Sequence, residues 1–249
     1  MKKLKIGIIG VGRLGYEHAC NIANRVPGSE LVAIADANFD RAKQVAEELG
    51  VTAVYNDPKD LCADPNVEAV AIITNTASHV EMIKIAMDAG KHVFCEKPLA
   101  DTVEKCKEAE AIIAAHPELT FMLGFMRRYD HSYQVAKKKM ENGDIGDVIL
   151  VRCYSQDPIS IIEGTLEYAP RSGGQFIDMS IHDFDLIRWL TGSEVKELWA
   201  TGGCYEFKQY KDWDDGDNVS GLMKMENDAM AFFFAGRAAA HASPVETEI

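Results

Sequence analysis

The stretch IGIIGVGRLGYEHA, residues 6–19, places glycines at 10, 12 and 15 directly after an apolar run and directly before residues with helical spacing. Each glycine answers a different need: Gly10 permits a tight turn, Gly12 lets backbone approach a pyrophosphate, and Gly15 permits close packing of a helix on a strand. A helix beginning at Arg13 or Leu14 would aim its free N–H groups and the positive end of its dipole at phosphates. The glycine spacing alone is a weak signal, because it also occurs in ordinary turns. What strengthens it is Asp36, which closes the next apolar run 21 residues after Gly15, where a carboxylate can accept from ribose hydroxyls. On its own Asp36 could equally cap a helix. Strand, glycines, helix and acid in this order predict a dinucleotide site. The acid's charge opposes a 2′-phosphate, so NAD is the expected cofactor; Arg41, five residues on, keeps NADP as the alternative.

The rhythm around this stretch is strand and helix in alternation. Short apolar runs at 4–10, 30–36, 52–57, 67–74, 92–97 and 120–125 are rich in aliphatic residues, as strands buried on both faces are. Helical spacing fills 40–50 and 78–90, each ending in glycine. Such units require right-handed crossovers and predict an α/β doubly wound parallel sheet that binds ligands at the strands' C-terminal ends. After about residue 125 the pattern changes to a helix over 132–146, a strand over 147–155, one clear helix over 177–192, and strands over 195–207, 218–227 and 229–238. The expected organisation is a dinucleotide-binding domain over 1–125 and an α+β domain with a largely antiparallel open sheet over 126–249.

Composition bounds the function. With 26 basic and 39 acidic residues among 249, the net charge of −13 repels nucleic acid and anionic membrane, and neither is an expected partner. No apolar run reaches the ~20 residues that span a bilayer, and the N-terminus lacks a signal-peptide pattern, so the expected location is the cytoplasm. Cys20, Cys62, Cys95, Cys106, Cys153 and Cys204 form no CxxC pair and read as reduced core residues. No metal site is expected.

Two segments carry groups fit for chemistry. The fifth apolar run ends in Glu96, Lys97 and Pro98, which puts a lysine at the sheet edge where ligands bind, with a proline biasing it toward an extended backbone. Lys97 could donate to a hydroxyl and favour the alkoxide that develops as hydride leaves, or it could be an ordinary surface lysine. Within 177–192, Asp178 and His182 stand four apart, with Asp185 a turn further, so one helix would present acid and imidazole on one face. An imidazole titrates near neutrality and can take a hydroxyl proton, with Asp178 orienting it. A salt bridge and a metal pair are the alternatives, although HExxH spacing and a third ligand are lacking.

GIIGVGRLG, EKPLA at 96–100 and GGQFIDMSIHDFDLIRWLTG at 173–192 together resemble the glucose-fructose oxidoreductase / inositol dehydrogenase / MocA family, along essentially the whole chain. Within that family the likeness is nearest to the inositol 2-dehydrogenases. The resemblance implies an N-terminal Rossmann domain, a C-terminal α+β domain, and hydride transfer between NAD and a polyol or sugar, most readily myo-inositol. It also implies that Lys97, Asp178 and His182 are catalytic. It further implies that Thr74, Asn75, Thr76 and His79 line the nicotinamide side, that Glu96 bonds near the ribose, and that Arg127 or Tyr129 in GFMRRYDHSY reaches cofactor or substrate. Arg127 reads equally as a structural ion-pair partner, and His79 as a surface residue at a helix start. Segment 157–172 reads as the loop that sets specificity. Other members act on other sugars or dihydrodiols, and a non-catalytic NAD or sugar sensor would keep the same glycines. Family members continue for about another half-domain beyond HASPVETEI, and the outer face of their second sheet commonly makes a homo-oligomer, so a dimer or tetramer is expected.

Overall fold

The computed structural model describes residues 2–240 and 242–249. The chain divides after Gly124 into two compact units, each built around its own core. The first contains β1 (Leu4–Ile9), α1 (Arg13–Asn24), β2 (Ser29–Ala35), α2 (Phe39–Leu49), β3 (Ala53–Tyr55), α3 (Pro58–Ala63), β4 (Ala69–Ile72), α4 (His79–Asp88), β5 (His92–Cys95), α5 (Val103–Ala114) and β6 (Phe121–Leu123). Its six strands pair in the order β3-β2-β1-β4-β5-β6, parallel throughout. Neighbouring residues of β1 explain why its sequence is apolar without alternation. Ile8 packs with Val11, Ala19, Ile34 and Val45, while Ile9 packs in a separate cluster with Leu61, Ile72, Ile83 and Met87. Both faces of the strand are therefore covered. The strand order reverses between β1 and β4, and an open α/β sheet binds its ligand at such a switch point.

The second unit contains α6 (His131–Glu141), β7 (Leu150–Pro158), α7 (Ile162–Tyr168), α8 (Gln175–Asp178), α9 (Ile181–Thr191), β8 (Val195–Gly203), β9 (Asn218–Met225), β10 (Met230–Ala239) and β11 (Val245–Glu248). Its sheet runs β11-β7-β10-β9-β8, with β7 and β10 parallel and the other pairs antiparallel, so the expected α/β plus α+β architecture is the one observed. One face is sealed by Val151, Cys153, Leu186, Ile187, Met225 and Phe233. Phe184 and Phe176 meet Phe233 edge-on, with ring centroids 4.9 and 6.0 Å away.

Three local expectations are corrected. The single helix expected over 177–192 is broken: the Ser180 N–H donates to the Gln175 carbonyl at 3.1 Å and the His182 N–H to Met179 at 3.3 Å, so the four-residue ladder lapses between α8 and α9. Asp178 and His182 consequently belong to different helices, and their spacing of four does not stack them on one helical face. The strand expected to run to 207 stops at Gly203, because the Asp217 carboxylate takes the N–H groups of Tyr205, Glu206 and Phe207 and curls the chain into a 3-10 turn. Segment 157–172 is largely helical turns, with α7 at its centre, and not a loop.

Candidate active site

At the switch point of the first sheet, backbone geometry dictates two of the three glycines. Gly10 has φ +90°, and a Cβ there would lie 2.6 Å from the Ile73 carbonyl oxygen; a Cβ on Gly15 would lie 2.0 Å from the Gly10 oxygen. Nothing of the chain lies within 4 Å of a Cβ placed on Gly12, so that stretch of backbone is left bare. α1 starts just beyond it at Arg13 and Leu14 with no side-chain cap and no acid in its first turn. Uncapped N–H groups beside bare backbone fit the phosphates of a dinucleotide, which is the group the spacing predicts.

Asp36 fastens this turn to the end of β2. Its Oδ2 accepts from the Val11 N–H at 2.7 Å and its Oδ1 from the Asn38 N–H at 2.8 Å. Arg41 meets the next peptide of the turn, donating from Nε to the Val11 oxygen at 3.1 Å, with its guanidinium 5.1 Å from the Tyr16 ring centroid. A carboxylate at the strand end is matched to ribose hydroxyls and opposed to an added phosphate.

After β4, the Ser78 hydroxyl ties Thr74 to Asn75, at 2.8 Å from Thr74 Oγ1 and 2.9 Å from the Asn75 oxygen, and Thr76 is buried. His79 is 1% exposed, with Nδ1 2.8 Å from the Pro98 oxygen and Nε2 3.3 Å from the Thr74 oxygen. Burial pushes its pKa down, against those carbonyls, and favours the neutral ring, whose single N–H can donate to one of the two, the Pro98 oxygen being the nearer. In that turn a cis peptide joins half-buried Lys97 to Pro98. Glu96 is engaged on both oxygens: Oε1 lies 2.9 Å from His18 Nε2, and Oε2 accepts from the Lys97 N–H at 3.2 Å. His18, three residues after Gly15, had escaped the motif reading, although its spacing puts it on the same side of α1.

In the second unit the acid and imidazole have distinct supports. Asp178 ends α8, and its Oδ2 accepts from Arg237 Nη2 at 2.9 Å. His182 lies in the first turn of α9, its ring edge-on to Phe125 with centroids 6.4 Å apart. The residues around it are pinned from the 126–129 turn. Asp183, fully buried, pairs with Arg127 and accepts from the Ser155 hydroxyl at 2.7 Å, and Arg128 forks onto both oxygens of Asp185 at 2.7 and 2.8 Å. Burial raises the Asp183 pKa while Arg127 pulls against it. The two terminal nitrogens of the Arg127 guanidinium are thus engaged by Asp183 and Ser155 inside its own unit. Among the described residues, no cluster of His, Cys, Asp and Glu is arranged to hold a metal ion, and no helix is long and apolar enough to cross a membrane.

A glycine turn bound to a strand-end carboxylate, on a parallel sheet of this order, defines a dinucleotide-binding protein. Comparison with known proteins narrows the class. Residues 4–125 match the model of an oxidoreductase family with an NAD-binding Rossmann fold, and residues 133–249 match the GFO/IDH/MocA C-terminal domain. The chain is 36% identical to myo-inositol 2-dehydrogenase of Thermotoga maritima, over 99% of this chain and 72% of that one. It is 34% identical to the NAD(+)-dependent scyllo-inositol 2-dehydrogenase of Bacillus subtilis, over 99% and 71%. The crystal structure of scyllo-inositol dehydrogenase from Lactobacillus casei, with NAD(H) and scyllo-inositol bound, superposes with a TM-score of 0.93 at 41% identity, covering 99% of this chain and 73% of that one. The chain belongs to the GFO/IDH/MocA oxidoreductase family.

Proposed function

We propose that the chain is an NAD-dependent dehydrogenase that oxidises a CH–OH group of a cyclic polyol, and specifically an inositol 2-dehydrogenase. The observation that carries this reading is the likeness, along 99% of the chain, to an enzyme with NAD(H) and scyllo-inositol bound. The glycine turn from Gly10 to Gly15 and Asp36 hold the dinucleotide, and Asp36 selects against a 2′-phosphate. When bound, NAD supplies the hydride acceptor. Lys97 donates to the reacting oxygen and stabilises its developing negative charge. His182 takes the hydroxyl proton, and Asp178 orients the imidazole or the substrate. The molecule works as a cytoplasmic homo-oligomer; support for association is the outer face of the second sheet, where Trp199 and Leu222 are 63% and 56% exposed.

The test is incubation with myo- or scyllo-inositol and NAD or NADP, read at the absorbance of the reduced nicotinamide. NAD reduction is expected, with NADP much slower. His182→Ala is expected to lower kcat by about 10²- to 10⁴-fold with NADH affinity unchanged. NADH binding by wild type without turnover of any polyol would instead favour a sensor.

A further inference from the structure

Position 237, near the end of β10, carries an arginine that no motif singled out. Arg237 is 2% exposed, one of the largest fully enclosed side chains of the molecule. Its Nη2 donates to Asp178 Oδ2 at 2.9 Å, its Nη1 faces Asp157 Oδ2 at 3.5 Å, and its guanidinium lies 5.8 Å from the Tyr210 ring centroid. Its backbone N–H donates to the Asp217 oxygen at 2.9 Å. The two carboxylates are more open than the arginine, with side-chain exposures of 17% for Asp178 and 30% for Asp157. The cation therefore lies behind and the acids in front, which is the reverse of a surface salt bridge laid over a core.

The mechanical asymmetry matters as much. Asp178 ends a helix of only four residues, and the hydrogen-bond ladder lapses immediately after it. A single turn does little to hold its own side chains in place. Arg237, in contrast, follows directly on the stretch of β10 that is laddered to β7 on one side and to β9, as far as Gly236, on the other, and its own N–H is tied to the Asp217 oxygen. A planar fork can hold two carboxylates at once, which an ammonium does poorly.

We propose that Arg237 is a positioning residue of the reaction: from the end of the paired part of β10 it fixes the rotamer of Asp178, with Asp157 as its second anchor, so that Asp178 can act on the imidazole or the substrate. The inference rests on the role assigned to Asp178 above. Arg237 acts through Asp178 and touches neither substrate nor cofactor.

Arg237→Met keeps most of the volume and removes the charge and the donors, while Arg237→Lys keeps the charge without the fork. Each is compared with wild type in steady-state kinetics with myo-inositol, in NADH titration, and by crystallography. Expected is a graded fall in kcat, about 5- to 10-fold for Arg237→Lys and about 100-fold for Arg237→Met, with the polyol KM and the NADH dissociation constant each within about threefold of wild type. A purely structural arginine would lower the melting temperature and leave kcat per NADH-binding site unchanged, and that result overturns the proposal. If Arg237→Met does not fold, a wild-type kcat in Arg237→Lys overturns it equally. If wild type turns over no polyol, the reading of function has failed, and the crystal structures decide the inference alone. In them the Asp178 carboxylate is expected to leave its wild-type position by more than about 1 Å, and an unmoved carboxylate refutes the anchoring.

Discussion

Burial sets the chemistry open to His79. Its two ring nitrogens face the carbonyls of Pro98 and Thr74, and desolvation holds its pKa below the ordinary 6.5 of the imidazole. The unfolded chain then binds more protons than the folded one in the window just below 6.5, so stability rises with pH there. The contribution is complete above that value and is lost as pH falls through the lower folded one, on the order of 1 kcal/mol for each unit of depression. Wild type is expected to lose melting temperature between pH 7 and 5, and His79→Asn, which keeps a donor for Pro98 but does not titrate, to lose less. Equal losses in thermal scans across that range would show that the ring does not titrate as its burial requires. In the sequence His79 opens a helix after a polar loop, the mark of a surface residue. It is nevertheless 1% exposed and bonded to the Pro98 oxygen, 19 residues away, and no local pattern announces either.

Elements end where something takes over their hydrogen bonds. The Asp217 carboxylate is fully buried; Oδ1 accepts from the Tyr205 N–H at 2.9 Å, and Oδ2 accepts from Glu206 and Phe207, each at 2.7 Å. Burial alone would raise its pKa, yet those backbone donors and the Asn218 amide outweigh it and the pKa is lowered. Its stabilisation is present above the ordinary 3.8 and vanishes as pH drops through the lower folded value. Asp217→Ala strands three backbone N–H groups and is expected to cost about 3 kcal/mol or more, with the end of β8 loosened first. Urea unfolding and hydrogen exchange at residues 204–207 check this, and a loss under about 1 kcal/mol would be incompatible with the role. The β-propensity of VKELWATGGCYEF runs straight through this point, so the strand's end was not legible in it. The break between α8 and α9 is similar, since apolar periodicity continues across Met179 and Ser180 while the backbone does not.

At the scale of the molecule, each unit closes its own core, and a row of large apolar side chains is left outside the second one. Across the outer face of the second sheet, Trp199 pairs in register with Leu222 and Leu222 with Phe232, beside Tyr154, whose ring centroid is 5.6 Å from that of Phe232. Under the homo-oligomer proposed above, this strip is the candidate association surface. Leu222→Arg is expected to shift the mass measured by light scattering toward the monomer while the fold, read by circular dichroism, persists. An unchanged mass would move the oligomer contact elsewhere.

Local order in the chain was enough to determine the parallel sheet, the order of its strands and helices, the glycine turn with Asp36 and the change to α+β after about residue 125. Periodicity, propensity and turn chemistry act between near neighbours, so a contiguous segment records them. Tertiary structure alone decided which side chains hold the chemical groups: Glu96 against His18, Asp183 against Arg127 and Asp178 against Arg237, separated by 78, 56 and 59 residues. Such pairs exist only once two cores have formed and excluded water, because only there must a buried charge or donor find a partner, and the chain leaves no periodic trace of which one it will be.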